Sequence, residues 1–168
     1  MKLGRRLAIE HPAEADLVTA VPDSGNSASI GFSFESGIPL DRGFIKNHYV
    51  GRTFIEPEPS QRSIKVALKL NAVREVVDGK RVVVIDDSIV RGTTAFSRVA
   101  SLRKAGAREI HFRVSCPPTR HPCFFGIDFP TRQELIANQK SIPEIATFLG
   151  VATLGYLSQQ GLAVALKV

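Results

Sequence analysis

Val82-Val83-Val84-Ile85 is an unbroken β-branched run, and two carboxylates, Asp86 and Asp87, follow it directly. Alternating apolar and polar residues mark a strand with one wet face, whereas a continuous apolar run marks a strand covered on both. Strands of that kind belong to parallel sheets, whose crossover connections bury both faces. The flanking segments agree. Thr93 to Ala105 reads as a helix stopped by Gly106, and Glu109 to Ser115 reads as the next strand. Strand, helix and strand in that order form a right-handed βαβ unit.

The rest of the chain extends this pattern. Leu3 to Ile9 has helical spacing. Leu17 to Val21 is a short buried strand ended by Pro22-Asp23-Ser24-Gly25. Ala28 to Phe34 is helical, with Gly37 as its stop. Ile38 to Ile45 is expected to be a second strand. Tyr49 to Ser63, with Gly51, Pro57 and Pro59, reads as a long loop of the functional kind. Ile64 to Val77 is expected to be a helix, on the spacing of Val66, Leu68, Leu70 and Val73, before a turn at Asp78-Gly79. The tail reads as helical around Glu134 to Ala137, Pro143 to Leu149 and Ser158 to Leu166. The expected fold is α/β: a mostly parallel sheet flanked by helices, with a helical C-terminal addition.

Length and composition bound the function. The 168 residues suit one domain, residues 1–168, able to bury a core without disulfides or a structural metal. Two cysteines and no tryptophan argue against a disulfide-stapled scaffold. No apolar run approaches the ~20 residues needed to span a bilayer. The basic start, Met1 to Arg6, is not followed by an apolar stretch, so a cytoplasmic protein with no membrane partner is expected. The 22 basic residues exceed the 16 acidic ones, for a net charge of +6, which suggests an anionic partner. Lys46, Arg52, Arg62, Lys65, Lys69 and Arg74 share one stretch. Nucleic acid, a phosphorylated small molecule and a plain solvated face all account for it. The absence of any helix-turn-helix or RNA-binding signature argues against nucleic acid.

The chemistry concentrates between Val82 and Thr94. A buried strand delivers Asp86 and Asp87 to its C-terminal end, the edge at which open α/β sheets bind ligands. Gly92, Thr93 and Thr94 then open a helix, offering backbone N–H groups, two hydroxyls and the positive end of a helix dipole. That is a phosphate cradle. It is neither a Walker A loop nor a dinucleotide fingerprint, since the glycine spacings of both are absent. Carboxylates beside a cradle repel a bare phosphate ester. The arrangement makes sense when the acids hold sugar hydroxyls or a divalent cation, which points to a sugar phosphate with Mg2+. The plainer alternative is that the two acids cap the following turn.

Val82 to Thr94 resembles the phosphoribosylpyrophosphate (PRPP) signature of type I phosphoribosyltransferases. Val21 to Gly25, Gly43 to Phe54, Lys69-Leu70-Asn71 and Gly126-Ile127-Asp128 narrow the resemblance to the synthase domain of amidophosphoribosyltransferases. The resemblance implies the type I phosphoribosyltransferase fold and displacement of pyrophosphate from C1 of PRPP by ammonia, the first step of purine synthesis. It implies that Asp86 and Asp87 contact the ribose hydroxyls and Mg2+, with Ser24 near the metal. Ser88, Ile89, Val90, Arg91, Gly92, Thr93 and Thr94 would hold the 5-phosphate. Asp23, Ser24 and Gly25 would form the pyrophosphate loop. Lys46 to about Ser63 would close over PRPP, with Lys46, Tyr49 and Arg52 reaching the pyrophosphate and Asp86, Asp87, Lys46 and Arg52 counted as catalytic. Purine nucleotides are implied as inhibitors, and a homo-oligomer as the complete enzyme.

Several residues depart from the family pattern. The family's glutaminase domain uses an N-terminal cysteine, whereas Met1 is followed here by Lys2 and both cysteines lie in the C-terminal half. The chain is therefore expected to depend on free ammonia or on a glutaminase domain or subunit, and its start looks late for a synthase domain. His48 stands where arginine is common in the family. Cys123 matches a ligand of the [4Fe–4S] cluster found in one family branch, but four thiolates are needed and the chain has two cysteines, so no cluster is expected within it. Cys116, His121 and Cys123 lack a fourth zinc ligand. His11 and His111 have no evident partner. Two other readings stay open: a phosphoribosyltransferase that uses a nucleobase, and a non-catalytic module that senses PRPP or nucleotides.

Overall fold

The computed structural model describes residues 1–46, 70–123 and 131–167. Its centre is a four-stranded, wholly parallel sheet in the order β1-β4-β5-β6. These strands are β1 (Leu17–Ala20), β4 (Arg81–Asp86), β5 (Glu109–Val114) and β6 (Thr153–Tyr156). A separate antiparallel pair joins β2 (Phe44–Lys46) to β3 (Leu70–Ala72). The helices are α1 (Lys2–Glu10), α2 (Asn26–Ser36), α3 (Arg74–Val77), α4 (Thr93–Lys104), α5 (Ile136–Gln139), α6 (Ile142–Leu149) and α7 (Gln159–Leu166). None of them is long and apolar enough to cross a membrane.

The β-branched run behaves as its composition demands. Successive side chains leave a strand on opposite faces. Val82 and Val84 pack with Val99 and Leu102 of α4 and with Ile145 and Leu149 of α6. Val83 and Ile85 pack on the other face with Leu7 of α1, Phe32 of α2, and Leu157. All four strand residues are fully buried.

Arg113 of β5 is only 2% exposed, an unusual place for a cation. Its guanidinium donates to the His11 carbonyl at 2.8 Å, the Pro12 carbonyl at 3.1 Å and Thr153 Oγ1 at 2.8 Å. Burial draws its pKa down to about 10, so it stays charged at neutral pH.

Four expectations need correction. Leu70–Ala72 is a strand and only Arg74–Val77 is helical, in place of one helix from Ile64 to Val77; residues 64–69 lie outside the described residues. Leu70 and Ala72 pack toward the core while Asn71 is exposed, a period-2 pattern that pairing with β2 selects. The expected strand from Ile38 to Ile45 is interrupted. Leu40 makes an isolated parallel bridge to Val18, and regular pairing starts at Phe44, beyond Pro39 and Gly43.

The tail holds its expected helices but also a strand, because Thr153–Tyr156 pairs along the free edge of β5. Gly155 and the strand's four-residue length hide it from pattern reading. Finally, both histidines have partners. His11 Nε2 lies 2.8 Å from the Tyr156 carbonyl oxygen, and His111 Nδ1 lies 2.9 Å from Thr153 Oγ1.

Candidate functional site

The helices after β1 and β4 leave the sheet on opposite faces. α2 packs with the Val83 and Ile85 side, and α4 packs with the Val82 and Val84 side. Adjacent parallel strands whose connections diverge in this way leave a crevice at their C-terminal ends, a topological switch point. The crevice falls between Pro22–Gly25 and Asp87–Thr94. The Val21 N–H donates to the Ile85 carbonyl at 2.8 Å, which ties the first loop to the end of β4.

Gly25 sits at that junction. A Cβ added there would lie 2.4 Å from the Ile85 carbonyl oxygen, so the close approach of loop to strand requires glycine. The Pro22–Asp23 peptide is cis. Asp23 and Ser24 are exposed, and Lys46, at the end of β2, forms an ion pair with Asp23. Beside this loop lies a hollow of about 780 Å3, lined in part by Asp23, Asn26, Arg42 and Lys46.

On the β4 side, Gly92 holds φ +83°, a left-handed conformation that L side chains rarely adopt. It places Thr93 and Thr94 at the first turn of α4, whose first N–H groups have no side-chain cap among the described residues. Ser88 to Thr94 wrap a hollow of about 220 Å3. The back of the loop is pinned where the Ile136 N–H donates to the Val90 carbonyl at 2.9 Å. Ile89 is buried, while Thr93 and Thr94 are exposed. Arg91 Nε donates to Glu134 Oε2 at 2.8 Å.

The two acids occupy different environments. Asp87 is exposed at the rim. Asp86 is fully buried, its Oδ1 accepting from the Asp87 N–H at 2.9 Å and its Oδ2 from Arg98 Nη1. Burial pushes the Asp86 pKa up to about 7, against the opposing pull of Arg98. The resemblance implies ribose and Mg2+ contacts for both acids; the fold presents Asp87 to solvent and buries Asp86 against Arg98.

Arg98 itself escaped the sequence reading. Its signal was a charge beside the Ala95, Val99 and Leu102 stripe of α4. Cys116 was also missed as a neighbour of this site. Burial lifts its thiol pKa to about 11, with Asp87 and Asp86 adding to the shift.

Tyr49 and Arg52, with His48, lie outside the described residues, as does Gly126-Ile127-Asp128. Among the described residues no group of three His, Cys, Asp or Glu forms a metal cage. Mg2+ does not need one. It keeps several waters and takes one or two carboxylates together with substrate phosphates. The exposed Asp87 carboxylate and Ser24 hydroxyl are hard oxygen donors of that kind. A [4Fe–4S] cluster does not fit this chain: it needs four thiolates, and Cys116 and Cys123 are its two cysteines, both free.

No family model matches the chain. It is 53% identical to the amidophosphoribosyltransferase of Methanocaldococcus jannaschii over 165 residues, which is 98% of this chain and 35% of that protein. It is 58% identical to the amidophosphoribosyltransferase of Pyrococcus horikoshii over 156 residues, 93% of this chain and 34% of that one. The structure of glutamine PRPP amidotransferase from Bacillus subtilis, complexed with ADP and GMP, superposes with a TM-score of 0.87 at 54% identity. That match covers 98% of this chain and 36% of the Bacillus subtilis one. The chain thus spans about a third of the length of the curated relatives it matches. Over nearly all of its own residues the chain is thus homologous to one segment of the amidophosphoribosyltransferases, and it has the type I phosphoribosyltransferase fold.

Proposed function

We propose that this chain binds PRPP and carries the step in which ammonia displaces pyrophosphate from C1, giving 5-phosphoribosylamine. The observation that carries the reading is the adjacency of two anion-suited loops, Pro22–Gly25 and Ser88–Thr94, on neighbouring strands of one switch point. A ligand with phosphate at one end and pyrophosphate at the other matches that spacing of function. The names of the relatives support the same chemistry.

In this reading the N–H groups and hydroxyls from Ser88 to Thr94 hold the 5-phosphate. Asp87 accepts from the ribose hydroxyls. Asp86 fixes the end of β4. Lys46, joined by Tyr49 and Arg52, neutralises the pyrophosphate as it departs. Mg2+, when bound through Asp87, Ser24 and the ligand's own oxygens, supplies further charge neutralisation on the leaving group. Closure of the segment from Lys46 to about Ser63 excludes water from a ribose that becomes positive in the transition state. Neutral ammonia is already nucleophilic, so the chain supplies no covalent intermediate and no obligatory base.

Ammonia comes from a glutaminase domain or subunit, the complete enzyme is a homo-oligomer in the cytoplasm, and purine nucleotides compete for the ribose phosphate site. The Bacillus subtilis relative's complex with ADP and GMP supports that last point.

The test is pyrophosphate release from PRPP and Mg2+, with and without ammonium, beside Asp87→Asn. Ammonium-dependent release that falls about a hundredfold or more in the variant is the expected result. PRPP binding with no release under ammonium favours the sensing module. Release that demands a nucleobase favours the base-using enzyme.

A further inference from the structure

Two carboxylates beside a phosphate loop oppose the anion that the loop suits. Arg98 alters that balance. It lies on α4 three residues after Ala95 and four before Leu102, both buried, so its stem follows the core-facing stripe. Its Nη1 donates to Asp86 Oδ2. Asp86 has no exposed surface, but Arg98 keeps 24% of its side chain exposed. It shares the wall of the 220 Å3 hollow with Ser88, Gly92, Thr93 and Thr94. A guanidinium carries five N–H donors in one plane, and among the described residues Asp86 is its single acceptor. Arg91, the other arginine of that wall, is committed to Glu134.

We infer that Arg98 is a further ligand-binding residue of this site, anchoring Asp86 with one amino group and turning the remaining donors to the phosphate in the loop. The inference rests on the phosphoribosyl reading above. Asp86 and Arg98 cancel in charge, which leaves Asp87 as the one net negative group for sugar hydroxyls or a cation. The repulsion between the paired acids and phosphate is thereby reduced before any metal binds. A planar fork also suits phosphate oxygens in a way that an ammonium does not, so lysine would restore the charge but not the geometry.

Calorimetric titration with ribose 5-phosphate tests this on the wild-type chain, Arg98→Met, Arg98→Lys and the double variant Asp86→Asn/Arg98→Met. PRPP with Mg2+ is titrated in parallel. The expected result is a loss of about ten- to hundredfold in ribose 5-phosphate affinity for Arg98→Met, partly recovered by Arg98→Lys. The double variant buries no unpaired charge, so it carries the test if Arg98→Met alone does not fold. It is expected to stay weak, since the phosphate has lost its donor. Full recovery in the double variant would overturn the inference, because Arg98 would then serve only to neutralise Asp86. Affinity within twofold of wild type in folded Arg98→Met would overturn it while leaving the phosphoribosyl reading intact. Failure of the wild-type chain to bind either ligand would overturn both.

Discussion

Asp16 shows how one side chain can tie two strands. It precedes β1 and accepts from the Arg81 N–H at 2.8 Å and from Arg81 Nη2 at 2.9 Å, at the start of β4. The Arg81 side-chain and backbone hydrogen bonds lower its pKa to about 2. A depressed carboxylate pKa means that the unfolded chain binds more protons between the two pKa values, so stability rises with pH there. The contribution is complete above the ordinary aspartate value of ~4 and is lost as pH falls toward 2. Asp16→Asn is expected to melt below wild type at pH 5 to 7, with the gap closing near pH 2; thermal melts across that range check it. Residue identity alone exposed the Asp86-Asp87 pair and the Gly92 turn. It did not expose the different fates of the two acids, because burial and the reach of Arg98 are set by packing 12 residues away along the chain.

The elements around the site are held by ordinary end effects. Ser141 caps α6, accepting from the Glu144 N–H, while Glu144 Oε2 accepts from the Ser141 N–H at 2.7 Å. This capping box satisfies donors that the helix leaves open, and α6 in turn carries Ile145 and Leu149 into the core under β4. Ser141→Ala is expected to cost about 1 kcal/mol in urea denaturation. The longer helices were legible: α1, α2, α4, α6 and α7 all fall where spacing and turn residues put them. The short strands were not. Leu70–Ala72 and Thr153–Tyr156 have three and four residues, too few for a periodicity to declare itself, and each exists because a neighbouring edge offers a ladder.

At the scale of the whole molecule, the two ends of the chain clasp each other. Glu10, at the end of α1, accepts from the Ser158 N–H at 2.8 Å and from its hydroxyl at 2.9 Å, just before α7. Those contacts bridge 148 positions of sequence, and α1 also covers the face of the sheet that carries Val83 and Ile85. Glu10→Ala is expected to lower stability by about 1–3 kcal/mol without changing the urea m-value, since the loss touches contacts and leaves the unfolded surface alone. A second, separate transition in the melt would show instead that α1 and α7 unfold independently of the sheet.

By itself the sequence determined the parallel sheet, the strand that leads it, the two loops at its C-terminal edge and the family to which they point. All of these are local patterns: runs, spacings and turn residues within about a dozen positions. Only the tertiary structure decided that β6 completes the sheet, that β2 and β3 pair, that Arg113 is buried among carbonyls, and that Arg98 takes Asp86 out of solvent. Each of those depends on which groups a distant segment leaves unsatisfied, and that is fixed by the closure of the fold.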